Sequence, residues 1–97
     1  MVYVIYKEDV VEFEFDPAKS ASNLGKHGID FVQAQELWRD PLLLVLTAHF
    51  EDEPRMLVIG LVSGKHYTAI TTPRGDATRI ISVRRSRKNE VNLYEGN

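Results

Sequence analysis

Five of the chain's twelve basic residues fall between Thr78 and Lys88: Arg79, Arg84, Arg85, Arg87 and Lys88, with no acid among them. Arginine presents a planar fork of N–H donors that matches phosphate oxygens bidentately, so such a cluster is suited to gripping phosphate. The first half of the run, TRIISVRR, alternates like a strand, and SRKNEVNLYE after it has the character of a helix. A cationic strand-to-helix junction in a chain of formal charge −2 points to a local phosphate site. The same residues also suit a solvated charged edge.

A second polar constellation lies nearer the N-terminus. Lys19, Asn23, Lys26 and His27 are separated by four, three and one residues. At about 100° per residue they share one face of a helix, with Ala18, Ala21 and Leu24 expected to face inward. Lysine and histidine near a helix C-terminus are also favoured by the helix dipole alone. On the last strand, alternation sets Arg79, Ile81, Val83 and Arg85 on one side, and Thr78, Ile80, Ser82 and Arg84 on the other. Ile81 and Val83 read as core, and Arg79 and Arg85 read as partners for acids. Arg84, beside Ser82 on the more open face, is the first candidate for a phosphate ligand. Arg87 and Lys88 add local positive potential.

Other chemistries find less support. His27, His49 and His66 lack metal-ligand spacing, and neither an HxxxH motif nor paired carboxylates accompany them, so no metal or other cofactor is expected. Ser63, Ser82 and Ser86 lack a nucleophile elbow. The glycines are too scattered for a phosphate-cradling loop. With no cysteine, neither a disulfide framework nor a thiolate zinc site can form.

The elements that must position these residues can be read from their punctuation. Val11, Phe13 and Phe15 alternate with Glu12 and Glu14, a half-buried strand. Asp16-Pro17 supplies an N-cap and a proline at the first helical turn, and Gly28 ends the helix after His27. Asp30 caps a second short helix, FVQAQELW, with Phe31, Ala34 and Trp38 on one face and Leu37 beside them. Beyond Pro41 come four apolar or alternating runs, LLLVLTAHF, RMLVIGLVS, HYTAITT and TRIISVRR. The linkers EDEP, Gly64 and PRGDA are short, which predicts an antiparallel meander. The expected fold is a single α+β domain over residues 1–97, in the order β-α-α-β-β-β-β-α, with an antiparallel sheet of four to five strands. Residues 1–10 form either an extension or an extra edge strand.

The 97 residues are 43% apolar and 27% charged, an ordinary globular composition. The opening MVYVIYKEDV meets charge too soon for a signal peptide or membrane span, so a cytoplasmic protein is expected. Charge is unevenly spread: residues 1–60 hold five basic against eleven acidic residues, and residues 61–97 hold seven against three. Contact with a polyanion should therefore be confined to one face.

Two long segments resemble the BrnT toxins of type II toxin–antitoxin systems. FEFDPAKSASNLGKHGIDFVQAQELWRDP, Phe13 to Pro41, is similar to that family's FEWD-P-K…N-x-x-KHG…DP pattern, with Phe15 where tryptophan is usual. RIISVRRSRKNEVNLYE, Arg79 to Glu95, is similar to its RIIS-A-R…E-x-x-x-Y-E ending, with Val83 in place of alanine. Glu53-x-Arg55 and Ile59-Gly60 fit the family's intervening E-x-R…IG. The resemblance implies a RelE-like fold with two helices packed on the sheet. It also implies a ribonuclease that arrests translation, neutralised by a BrnA-like ribbon-helix-helix antitoxin, the pair repressing their own operon and meeting operator DNA only as a complex. Lys26, His27, Arg79, Ser82, Arg84 and Tyr94 match motif positions.

Metal-free RNA cleavage needs a base for the ribose 2′-hydroxyl, cations for the developing phosphorane charge, and an acid for the 5′-oxygen. The catalytic candidates are Lys26, His27, Arg79, Arg84 and Tyr94; those for RNA binding are Lys19, Asn23, Ser82, Arg85, Arg87 and Lys88. His27 is the natural proton carrier, with Tyr94 or Lys26 as substitutes if their pKa values are depressed. Two other readings use the same basic patch: a non-catalytic nucleic-acid-binding module, or a surface that receives a protein partner.

Overall fold

The computed structural model describes the backbone of residues 2–6, 9–50 and 53–96, and the side chains of 11–48 and 53–96. The elements in order are β1 (Val2–Tyr6), β2 (Asp9–Glu14), α1 (Pro17–His27), a 3₁₀ segment (Gln33–Arg39), β3 (Leu44–Phe50), β4 (Glu53–Val62), β5 (Lys65–Arg74), β6 (Ala77–Arg85) and α2 (Lys88–Tyr94). Six strands form one sheet in the order β1-β2-β6-β5-β4-β3. The last four make the expected meander. Part of the Glu51-Asp52-Glu53 hairpin tip lies outside the described residues.

The sheet departs from the antiparallel expectation at one junction. β2 runs parallel to β6, pairing Phe13 with Thr78 and Glu14 with Arg79. The early strand thus joins the free edge of the meander rather than standing apart from it, and β1 adds a further antiparallel strand outside β2. Of the first ten residues, Val2 to Tyr6 form that outer strand.

The first helix begins and ends as its punctuation predicts. The Asp16 carboxylate accepts from the Ala18 amide at 2.9 Å, and Gly28, at φ 73°, donates its N–H to the Leu24 carbonyl. Only glycine takes that left-handed conformation without steric cost. Its inward face, however, is not the one expected. Ser20 and Asn23 are buried, whereas Ala18, Ala21 and Leu24 are exposed. The helix docks through polar groups.

The second helix is a 3₁₀ segment, not an α-helix. Ala34, Gln35 and Leu37 are buried within it and Phe31 just before it, while Trp38 is only partly buried. Asp30 and Gln33 bind each other's backbone amides reciprocally at its start. The core lies between this segment and one sheet face, where Phe13, Ile29, Phe31, Ala34 and Leu37 meet Val58, Ala69, Ile80 and Val83. Phe13 packs edge-on against Trp38 at 4.8 Å, and Phe15 against Phe31 at 5.7 Å, geometries that aromatic quadrupoles favour.

A register shift in β6 changes which residues are core. Ser82 pairs with Ile70 but Ile80 with Thr71, leaving Ile81 as the extra residue of a bulge. Simple alternation put Ile81 with Val83. The bulge instead buries Ile80 and Val83 together and leaves Ile81 half-buried. It also sets Arg79 on the Arg84 side, because their partners Thr72 and Thr68 share a face of β5.

Candidate functional site

β2 covers the edge of β6 only as far as Arg79. Beyond that point the chain has left the sheet and α1 runs alongside. Asn23 takes the place of a strand there. Its Nδ2 donates to the carbonyls of Val83 at 2.9 Å and Ile29 at 2.8 Å, and its Oδ1 accepts from the Val83 amide at 3.2 Å. Ser20 Oγ, one turn earlier, accepts from the Phe31 amide. Buried backbone groups need such partners. Asn23 was expected to contact RNA; it is 7% exposed and its amide is committed to the main chain.

This docking brings the end of α1 and β6 together. Lys19, Ser22, Asn23, Lys26 and His27 from α1, with Ile81 and Ser82 from the bulged stretch of β6, line an open cleft of about 290 Å³. Lys19, Lys26 and His27 are exposed. Among the described residues, none of the three is paired with a carboxylate. Two cations, an imidazole and a hydroxyl therefore converge with their binding capacity unspent.

The remaining candidates lie outside the lining of this cleft and are differently employed. Arg79 donates to Glu14 at 2.8 Å, a pair across the parallel junction. Arg84 was expected to be open to phosphate. It instead donates through both terminal nitrogens to Glu90, at 2.7 and 2.9 Å. Glu90 is 4% exposed and also accepts from the Arg87 amide and from Thr68 Oγ1. The Ser86 hydroxyl, 2.8 Å from Thr68, must then donate to it, since the Thr68 proton goes to Glu90. The Arg84 bonds, opposed by burial and helped by the Arg87 amide and Thr68, hold the Glu90 pKa down at about 2. Hydrogen bonding to Glu90 raises that of Arg84.

Among the described residues, Arg85 has no acid partner. It lies 5.6 Å over the Tyr67 ring and donates to the His66 carbonyl. Arg87 and Lys88 begin α2 and are exposed. Tyr94 donates to Asp40 Oδ2, which also accepts from the Leu61 amide. A side chain at Gly60 would sit 3.1 Å from that oxygen, so glycine there admits the carboxylate. Burial, the bond to Asp40 and the charges of Asp40 and Glu95 push Tyr94 up to about 12, opposite to what proton transfer near neutrality requires. Burial of Asp40 would raise its pKa, but the Tyr94 hydroxyl, two backbone amides and nearby His66 bring it below the ordinary value.

Glu90, Asp40 and His66 did not stand out in the sequence. His66 bonds Glu95 at 2.7 Å and packs edge-on against Tyr94. The one available signal was the six-residue separation of Arg84 and Glu90 across the strand-to-helix junction, which lets a carboxylate in the first turn fold back on the strand end.

No helix among the described residues is long and apolar enough to cross a membrane. No curated protein matches the chain closely enough to count as a relative. Residues 15–90 match a family described as the ribonuclease toxin, BrnT, of type II toxin-antitoxin systems. That match takes in α1, the 3₁₀ segment, the whole meander and Glu90, and so the cleft and the Arg84–Glu90 pair together. The chain belongs to the BrnT family of ribonuclease toxins.

Proposed function

We propose that RNA is cleaved in the α1–β6 cleft without a metal ion, by attack of the ribose 2′-oxygen on the adjacent phosphorus. One observation carries this reading: His27, Lys26, Lys19 and Ser82 share a cleft in which, among the described residues, no carboxylate consumes their donors and acceptors. The His27 imidazole takes the 2′-hydroxyl proton, since its ring carries a nitrogen lone pair that can accept one. Lys19 and Lys26 hold the phosphate oxygens as charge builds, and Ser82 donates a further hydrogen bond. The P–O5′ bond breaks as the new bond to the 2′-oxygen forms, and Lys26 protonates the departing 5′-oxygen. The products are a 2′,3′-cyclic phosphate and a 5′-hydroxyl.

Arg79, Arg84 and Tyr94 support this chemistry from outside the cleft. Arg84 and Arg79 stiffen β6 through their carboxylate pairs, and Tyr94 helps fix α2. Arg85, Arg87 and Lys88 extend the basic surface along which flanking RNA lies. The wider reading follows the family: a RelE-like toxin acting in the cytoplasm to block translation, held inactive by a BrnA-like ribbon-helix-helix antitoxin, with which it represses its own operon.

End-group analysis of RNA cut by the purified protein tests the mechanism. A cyclic phosphate whose yield is unchanged by EDTA is expected. A 3′-hydroxyl product, or activity lost to chelation, would refute the scheme. RNA bound but left intact would favour a non-catalytic module, and inertness towards RNA would favour a protein-binding surface.

A further inference from the structure

A second cleft of about 430 Å³ opens on the other side of the α1 C-terminus. It begins at Gly28, the residue after His27, and lies between the start of the 3₁₀ segment and the β4–β5 hairpin. Val32 and Val62 give it apolar walls, and Tyr67 an aromatic one. Arg85 over the Tyr67 ring helps to fix that ring in place. Gln33 and Glu36 supply its polar edge, with Lys65 at the hairpin.

The 3₁₀ geometry gives these two polar residues a fixed relation. Side chains three apart eclipse one another in a 3₁₀ helix, so Gln33 and Glu36 project along one line. Gln33 is already oriented, because its Oε1 accepts from the Asp30 amide at 2.9 Å. Its Nε2 hydrogens are left for a ligand. Glu36 is held only loosely, 4.0 Å from an exposed Arg39, so its carboxylate can accept new bonds.

We propose that this cleft is a nucleobase subsite that selects guanine in the RNA chain crossing the neighbouring cleft. The proposal rests on the cleavage reading above. An amide donor beside a carboxylate complements the Watson–Crick edge of guanine, whose O6 accepts while N1–H and N2–H donate to the two carboxylate oxygens. Uracil offers O4 and N3–H but sets its O2 against the second carboxylate oxygen. Adenine and cytosine each set a ring nitrogen lone pair against the carboxylate. Stacking of single-stranded bases on aromatic side chains, with their edges read by hydrogen bonds, is the usual mode of sequence-specific RNA recognition. Selection at this point fixes the register of the chain and hence which phosphate reaches His27.

The test is to walk a single guanine along an otherwise all-adenine oligonucleotide and map the cut by wild type and by Glu36→Gln. Cutting at a constant offset from the guanine is expected, about tenfold or more faster than in the all-adenine strand, as for a good bidentate base contact. The Glu36→Gln protein should reduce that ratio to a few-fold. The ratio is internal to each preparation, so a partly unfolded sample cannot imitate the loss. Cleavage without a fixed offset, or a ratio unaltered in Glu36→Gln, overturns the guanine site and leaves the cleavage reading intact. If wild type cuts no RNA, the cleavage reading fails, and amide-shift titration with guanosine and adenosine monophosphates decides the subsite alone. Shifts at Gln33, Glu36 and Tyr67 that favour guanosine in wild type but not in Glu36→Gln support it; their absence overturns it. A Glu36→Gln protein that keeps its RNA preference but loses antitoxin binding marks a protein interface instead, and overturns it too.

Discussion

The cleft beside α1 and the corner under α2 hold the same kinds of side chain and differ in what those side chains are bound to. In the cleft, Lys19, Lys26 and His27 are exposed and have no carboxylate partner among the described residues. In the corner, Arg84 is locked to a buried Glu90 and Tyr94 to Asp40. A buried carboxylate that fills an arginine's donors turns a potential phosphate ligand into a fastener between strand and helix. Cation density along a chain therefore does not show which cations stay available for a ligand; the tertiary partners of each one do.

That contrast is broken most severely by replacing both Lys26 and His27 with alanine. A positioned proton carrier contributes about 10²- to 10⁴-fold, so single-turnover cleavage should fall by at least the lower figure while thermal stability holds. Wild-type cleavage in the double variant would move the reactive site away from the cleft.

Glu90→Ala should instead act on stability. Removing one partner of a buried ion pair costs about 3–5 kcal/mol, because the other charge is left uncompensated. Arg84→Met combined with Glu90→Leu should recover much of that loss. Urea denaturation of the wild type and these two variants measures both effects, and a cost below about 1 kcal/mol for Glu90→Ala would show the pair to be incidental.

The pair also sets a pH response. Glu90 has a folded pKa of about 2 against an ordinary 4.5, so the unfolded chain binds its proton first as pH falls. Its contribution is fully present above about pH 4.5 and is lost progressively on descending towards pH 2, by up to about 3 kcal/mol. Asp40, also lowered, acts in the same direction. Glu90→Gln should flatten the stability profile between those limits, whereas changes in the cleft should leave it unaltered.

Asn23→Ala sharpens the comparison from the cleft's own floor. It would strand the Val83 amide and carbonyl and the Ile29 carbonyl, at a cost of about 2 kcal/mol. Calorimetry should show a lower melting temperature, with greater exchange of the Val83 amide. The smallest effect is expected for Gly28→Ala. No atom obstructs a side chain there, but φ is +73°, so a loss of about 1 kcal/mol reflects backbone strain alone.

The elements were legible wherever local chemistry fixes them. Asp16-Pro17 and Gly28 bound α1 where they should, because caps act through groups only a few residues apart. The four runs after Pro41 became a meander because short turns leave antiparallel pairing as the simplest outcome. Readings that depended on partners distant in sequence fared worse. Polar Ser20 and Asn23, which look like surface, are buried by backbone groups 11 and 60 residues away. The apolar spacing of residues 31–38 fits either helix type, and only packing against the sheet selects the tighter one.

In the cleft between α1 and β6, Lys19, Lys26, His27 and Ser82 were visible as residue types on a helix and a strand. Their convergence was not, since it depends on β2 stopping at Glu14 and leaving the edge of β6 open for α1. Nor could the sequence show that Arg84 is spent on Glu90, or that a bulge at Ile81 turns Ile80 inward. Alone, the sequence determined the ends of α1, the order of the later strands, the family, and a supply of cations near a histidine, all consequences of local pattern. Tertiary structure decided which cations remain available, because a charge's reactivity depends on the nearest opposing charge, and folding chooses that neighbour.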